Sequence, residues 1–298
     1  SGLGLYRGSA FPAEMRGNLF SAQHNSRKVG RHILHREGST FRSDDSDFIS
    51  SDDPDFHPSD VLEDADGSLL IVDTGGWYVQ HCPTGRIRNS RSPGGILRVR
   101  FTAAERPADA RGLRLEWSKR NEDQLVKLLD DARPVVRDRA AEILAAKHAA
   151  RAAALVSSDV RLRFPEMRPA VLWALSRAGS VPSSVLEAAF KHVEPDVVMA
   201  AARIATLTGD KAYAASLTRL LTAATPPVQL AAAEALARCG STATVPVLWR
   251  ALSKGTPDRF FEHALINAAY CLADGSALKA ALAGELAHQL RQRLVVPD

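Results

Sequence analysis

Cysteine is scarce in this 298-residue sequence, and the spread of its three residues excludes two classes of site. Cys82, Cys239 and Cys271 form neither a CxxC nor a CxxCH, so the chain carries no motif for covalent c-type haem and no cysteine framework for structural zinc. Cys239 and Cys271 fall on apolar helical stretches, where a thiol behaves as a small hydrophobe. Long apolar runs are also missing: no window approaches the roughly 18 unbroken apolar residues of a membrane-spanning helix. Nor is there a basic, then apolar, then small-residue leader. The chain opens SGLGLYRGSAF, strand-like from the start and without an initiator methionine. That opening reads as a cut inside a larger protein, so the lack of a leader is silent on compartment. GxSxG and phosphate-cradling glycine motifs are absent, and His148, His192, His263 and His288 are scattered without metal spacing.

What is present is ample for a large core, at 45% hydrophobic residues, and unevenly charged. Residues 42–66 hold ten acids against the single base Arg42, whereas residues 84–120 hold nine arginines and Lys119 against three acids. Such asymmetry can mark a nucleic-acid face, but no aromatic residues interleave with the basic run as single-strand binding favours. The expectation is that neighbouring acidic and basic segments neutralise each other, with no nucleic-acid partner.

Composition changes near Trp117, from glycine- and aspartate-rich β-like runs to alanine- and leucine-rich helical spacing. Five prolines then recur, Pro134, Pro165, Pro195, Pro226 and Pro257, at intervals of 31, 30, 31 and 31 residues. PVVRDRAAEILA (134–145), PDVVMAAARIAT (195–206) and PPVQLAAAEALA (226–237) align on them, each with an apolar residue two after the proline and an alanine pair six and seven after it. Gly179, Gly209 and Gly240 close three of these segments. The unit is helix, proline-marked turn, helix, glycine, which suits the helical positions where Pro and Gly are best tolerated. One such pair cannot bury its own apolar face, so about five stacked repeats make the core. Over roughly 121–290 this resembles the short variant of the HEAT family, whose solenoids present a concave face to a protein partner. Trp173 and Trp249 lie within its apolar runs and read as core.

Residues 1–116 read as β. Strands are expected over 2–6, 17–23, 28–34, 68–73 and 95–101, and DDSDFISSDDPDF (44–56) reads as an acidic loop, solvated or weakly calcium-binding. FPAEMRGNLFSA (11–22) and FHPSDVLEDADGSLLIVD (56–73) echo each other at about 45 residues, the size of one four-stranded propeller blade. Two blades cannot close a propeller.

FHPSDVLEDADGSLLIVDTGGWY (56–78) and CPTGRIRNSRSPGGILRVRF (82–101), followed by HEAT-like repeats, resemble the secreted membrane-bound-dehydrogenase-like, haem-binding proteins of planctomycetes and relatives. The resemblance implies the last blades of a β-propeller similar to glucose/sorbosone dehydrogenases, which use pyrroloquinoline quinone and calcium. It also implies a HEAT stretch, a cytochrome c module beyond this chain, and a periplasmic or secreted location. The expected fold is therefore multidomain β + α, with incomplete propeller blades over 1–116 and an α-solenoid over 117–298.

Several residues follow as candidates. His57 and Asp60 in FHPSD would act as a base and its orienter, or else as a packed histidine and a capping aspartate. Asp64 and Asp66 in DADGS have the spacing of calcium-loop carboxylates, although the later ligands of that pattern are missing and a hairpin turn explains them as well. In VDTGGWY and just beyond, Asp73, Trp77, Tyr78 and His81 would border a planar cofactor, or the aromatics would simply pack between blades. Three functions stay open: an accessory propeller–HEAT scaffold, a quinone-dependent sugar or alcohol dehydrogenase site lined by 57–82, and a HEAT adaptor with a β cap related to bilin lyases. The first is the expectation, and the blade-like motifs weigh against the third.

Overall fold

The computed structural model describes residues 2–76, 93–105, 107–158, 160–179, 181–254 and 258–276. Packing divides the chain into two units, Ser1–Arg36 with Phe41–Arg139, and Glu37–Thr40 with Ala140–Asp298.

The first unit is built on two sheets among the described residues. Strands β1 (Leu3–Leu5), β2 (Leu19–Gln23), β3 (Lys28–Glu37) and β4 (Thr40–Ser50) lie side by side in chain order in a four-stranded sheet. Strands β5 (Pro58–Glu63), β6 (Leu69–Asp73) and β7 (Gly95–Val99) form a second, antiparallel sheet of three. Alternation along the strands sends Phe20, Val29, Val61, Leu69 and Ile71 into one core with Tyr6 and Met15, where Phe11, Phe48, Ile49 and Val99 pack against them. The fully buried Tyr6 ring keeps its hydroxyl satisfied: it donates to the Gly67 carbonyl at 3.1 Å and accepts the Phe11 amide at 2.9 Å.

Two strands were not expected from the sequence. The acidic segment forms β4 as far as Ser50, because cross-strand partners support it. Asp45 meets His32 at 2.8 Å and Asp47 meets Lys28 at 2.6 Å, while Phe48 packs on the core. The run PSDVLE, expected only as the approach to a strand, is β5.

The helices come in consecutive pairs: α1 (Glu122–Leu128) with α2 (Pro134–Lys147), α3 (Ala149–Val156) with α4 (Met167–Arg177), and α5 (Ser183–Ala189) with α6 (Pro195–Thr208). Then α7 (Ala214–Ala223) pairs with α8 (Pro226–Cys239), and α9 (Val245–Ser253) with α10 (Arg259–Leu272). The composition boundary at 116/117 and the packing boundary differ, since the first unit takes α1 and the first turn of α2. Pro134, Pro195 and Pro226 each open a second helix; Pro165 precedes α4 by two residues, and Pro257 lies outside the described residues.

In the second unit α6 packs on α4 and α8, and α8 on α10. The alanine pairs sit where these helices meet: Ala201, Ala202, Ala232 and Ala233 are fully buried, as are Val197 and Val228 two residues after their prolines. Two arginines three residues after a proline are buried as well. Arg168 gives its guanidinium to the Leu155, Ser158 and Val160 carbonyls at and beyond the end of α3, the Ser158 contact at 2.8 Å. Arg137 does the same past the end of α1, donating to the Asp131 carbonyl at 2.9 Å and the Ala132 carbonyl at 3.2 Å. The last carbonyls of a helix have no partner within it, and a buried helix end must find donors elsewhere.

The glycines at two helix ends differ. Gly209 ends α6 in the left-handed region, with φ of 64° and open space around it. Gly240 ends α8 in an extended conformation, where a Cβ would lie 2.6 Å from both the Leu236 carbonyl oxygen and Leu272. The two described cysteines also differ. Cys239 is buried with its thiol on the Ala205 carbonyl, and burial pushes that thiol up, whereas Cys271 is exposed, contrary to its apolar sequence context. The face of α10 that packs inward runs through Phe261, Ala264, Leu265, Ala268 and Ala269, and misses Cys271. Trp173 and Trp249 are half-buried rather than core.

Two substitutions test this packing by denaturant unfolding. Leu236→Ala, at a fully buried position, should cost about 2–5 kcal/mol. Arg168→Met keeps the volume but leaves buried carbonyls without a donor, and should cost about 1–3 kcal/mol for each group left unsatisfied. A near-neutral result at Arg168 would mean that the helix end does not depend on it.

Candidate functional site

The residues singled out over 57–73 sit at the two ends of the β5–β6 hairpin and do different things. At the far end, Asp64–Ser68 is the turn itself, closed by the Asp64 amide on the Ser68 carbonyl at 2.8 Å and the Gly67 amide on the Asp64 carbonyl at 2.9 Å. The Asp66 carboxylate accepts the Ser68 amide at 3.0 Å, as aspartate does in tight turns.

Arginines face these carboxylates. The Arg98 guanidinium lies 2.6 Å from Asp64, 3.2 Å from Asp66 and 2.6 Å from the Ser68 hydroxyl. Arg111 reaches Asp64 at 2.8 Å and Arg100 reaches Asp66 at 3.3 Å. Three cations from the basic run therefore meet two anions from the acidic run. Burial pushes both carboxyls up, but hydrogen bonds and these guanidiniums outweigh it and hold both below the usual carboxylate range. This donor set does not fit calcium, because a further divalent cation would face three positive charges at two ligands already taken. Among the described residues no group of three His, Cys, Asp or Glu side chains is placed to hold a metal ion.

At the near end, His57 and Asp60 do not come together. Residues three apart share a face on a helix but not on a strand, and a register shift separates Pro58 from Asp60. The exposed Asp60 carboxylate accepts the Val61 amide at 2.9 Å. His57 is buried, and its partner is Asp73: Asp73 Oδ1 accepts the His57 amide at 2.8 Å and the Gly75 amide at 3.0 Å, so it ties the end of β6 to the start of β5. The ring Nδ1 lies 3.0 Å from the Gly75 carbonyl, which only accepts, so Nδ1 carries the proton. The ring also packs on His24, with centroids 4.9 Å apart. Asp73 thus uses Oδ1 on the His57 and Gly75 amides, and the packing of His24 had no signal in the sequence. Trp77, Tyr78 and His81, expected beside Asp73, lie outside the described residues, as does Cys82.

A cleft of about 530 Å³ opens beside the turn, bordered by Phe11, Asp66, Phe101, Glu105 and Arg133. Its two phenylalanine rings are 6.5 Å apart and tilted by 34°, giving an apolar wall. On the four-stranded sheet, Ser21, His32 and Asp45 fall in line, a grouping that no sequence motif announced.

Comparison with known proteins separates the two units. Residues 182–269, covering α5 to most of α10, match the family model for HEAT repeats. Over these residues the helices form a HEAT-like repeat solenoid. Residues 1–97 match a domain of unknown function, DUF7133, which spans the two sheets. Among solved structures, the chain is similar to the complex of CpcE and CpcF of phycocyanin lyase from Nostoc sp. PCC7120, at 20% identity and a TM-score of 0.40, over 56% of this chain and 72% of that one. It is also similar to a designed armadillo repeat protein, at 18% identity and a TM-score of 0.34, over 51% of this chain and 82% of that one. No curated protein matches.

The arginine-bound turn gives a pH signature. Because the folded-state values of Asp64 and Asp66 lie below those of the unfolded chain, their contribution is fully present above about pH 4 and is lost as pH falls through the lowered values. Thermal melts of the wild type and of the Asp64→Asn/Asp66→Asn double variant should differ at pH 7, and the gap should close below about pH 4. A gap that persists at low pH would mean that the turn is not held by charge.

Proposed function

We propose that this chain is the propeller–HEAT segment of a larger secreted, dehydrogenase-like protein, and that it serves as an accessory scaffold rather than as the catalytic centre. The HEAT solenoid is the observation that carries the scaffold role, since stacked helix pairs of this kind present an extended face to a protein partner. Large apolar side chains on the HEAT unit remain in water, among them Val193, Leu207 and Tyr270, the first at 88% exposure. In this reading the two sheets are the last blades of a propeller, and further blades and a cytochrome c module belong to the same polypeptide. Two sheets in chain order with one shared core support it, as does the resemblance of residues 56–101 to that family.

The alternative is a dehydrogenase site for a sugar or alcohol with pyrroloquinoline quinone and calcium. The pair of buried His57 and half-buried His24 beside Asp73 favours it, because it brings proton-accepting groups to one end of the second sheet. Such a site would draw its calcium ligands from residues other than Asp64 and Asp66.

Two measurements decide between these readings. The intact mass of the native polypeptide should lie well above 32.2 kDa; a mass near that value sinks the larger-protein reading. Calorimetric titration of this chain with pyrroloquinoline quinone and calcium should give no saturable heat, and stoichiometric binding would replace the scaffold reading by the dehydrogenase one.

A further inference from the structure

The outer face of the four-stranded sheet carries a serine, a histidine and an aspartate on three adjacent strands. Ser21 Oγ on β2 lies 2.7 Å from His32 Nε2 on β3, and His32 Nδ1 lies 2.8 Å from Asp45 Oδ1 on β4. Strand alternation explains the grouping. Phe20, Ala22 and Val29 turn inward to full burial, so Ser21 and His32 turn outward, with Ser21 paired to Gly30 and His32 to Leu19 across the ladder. A carboxylate accepts only, so the proton of neutral His32 sits on Nδ1 and its lone pair on Nε2 faces the serine hydroxyl. The order nucleophile, base and orienter is the one that acyl-transfer chemistry requires, and it is recognised by geometry rather than by position in the sequence.

Two neighbours complete the arrangement. Gln23 Nε2 donates to Ser21 Oγ at 3.3 Å, so the serine oxygen accepts on one side while its hydroxyl faces His32. Gly30 lets the three side chains close over the strand: a Cβ there would stand 2.7 Å from Gln23 Nε2, 3.1 Å from Ser21 Oγ and 3.2 Å from His32 Nε2. Hydrogen bonds from His32 and Ser43 hold the Asp45 carboxyl below its ordinary range, so it is ionised at neutral pH.

We infer that Ser21, His32 and Asp45 form a serine-nucleophile centre that hydrolyses small acyl esters. Ser21 Oγ attacks the ester carbonyl carbon, and its proton passes to His32 Nε2 as the Oγ–C bond forms. The tetrahedral adduct collapses, the C–O bond to the alcohol breaks, and the alcohol leaves with the proton from Nε2. Water then repeats the sequence on the acyl-serine, releasing the acid and restoring the hydroxyl. Ser21 and His32 are the catalytic residues, and Asp45 positions the ring. Asp45 is 62% exposed, so water weakens its hold on the imidazole and turnover is slow compared with buried triads.

The test uses the full chain with a fluorophosphonate probe, read by intact mass and peptide mapping, and p-nitrophenyl acetate as substrate. The expected result is one adduct on Ser21, lost in Ser21→Ala and slowed at least tenfold in His32→Gln. Asp45→Asn should slow labelling and Asp45→Glu should restore part of it. Gly30→Ala keeps all three groups but pushes Gln23, Ser21 and His32 apart, and should slow labelling while circular dichroism still shows a folded chain. An unlabelled Ser21 in the folded wild type overturns the inference, and so does a labelling rate unchanged by His32→Gln.

Discussion

How closely two helix backbones can approach governs the HEAT unit. The second helices of three of the pairs carry a buried alanine pair, and a larger side chain at any of them would push one layer from the next. In two of the repeats a buried arginine of the second helix donates back to carbonyls of the turn that follows the first. Small residues bring the helices together, and these long cations fix the turns between them.

The β unit solves a different problem, that of a chain whose acids and bases are segregated in sequence. Folding brings the basic strand β7 and the loop after it against the acidic turn between β5 and β6, so charges that repel within each segment attract between segments. The turn is held by guanidiniums in the way that other loops are held by a cation. This is why a carboxylate spacing that suggests metal can be met by protein alone.

The repeat was legible because each unit carries its own punctuation. Proline recurs at 30 or 31 residues, with an alanine pair in three units and a closing glycine in three, and local signals add up along a stack in which units contact their neighbours. The β unit was less legible, since strand identity there rests on partners far away. β4 looks like a solvated acidic loop until His32 and Lys28 lie opposite its aspartates. His57 and Asp60 looked like a pair because they are close in sequence, yet strand geometry parts them and gives His57 to Asp73, sixteen residues on. The line of Ser21, His32 and Asp45 is set by register across three strands, and register is invisible in any one of them. Cys271 misled for a related reason: an apolar neighbourhood in sequence does not say which side of α10 packs.

Gly209 and Gly240 occupy equivalent places in the repeat, yet glycine answers a different demand at each. At Gly209 the demand is one of handedness, because the backbone turns left in open space. A residue of mirror-image chirality would settle there without strain. At Gly240 the backbone is ordinary and the demand is one of volume, with a carbonyl and a leucine methyl already where any side chain would begin. One periodic letter in the sequence therefore records two unrelated constraints, and exchange of chirality would relieve only the first.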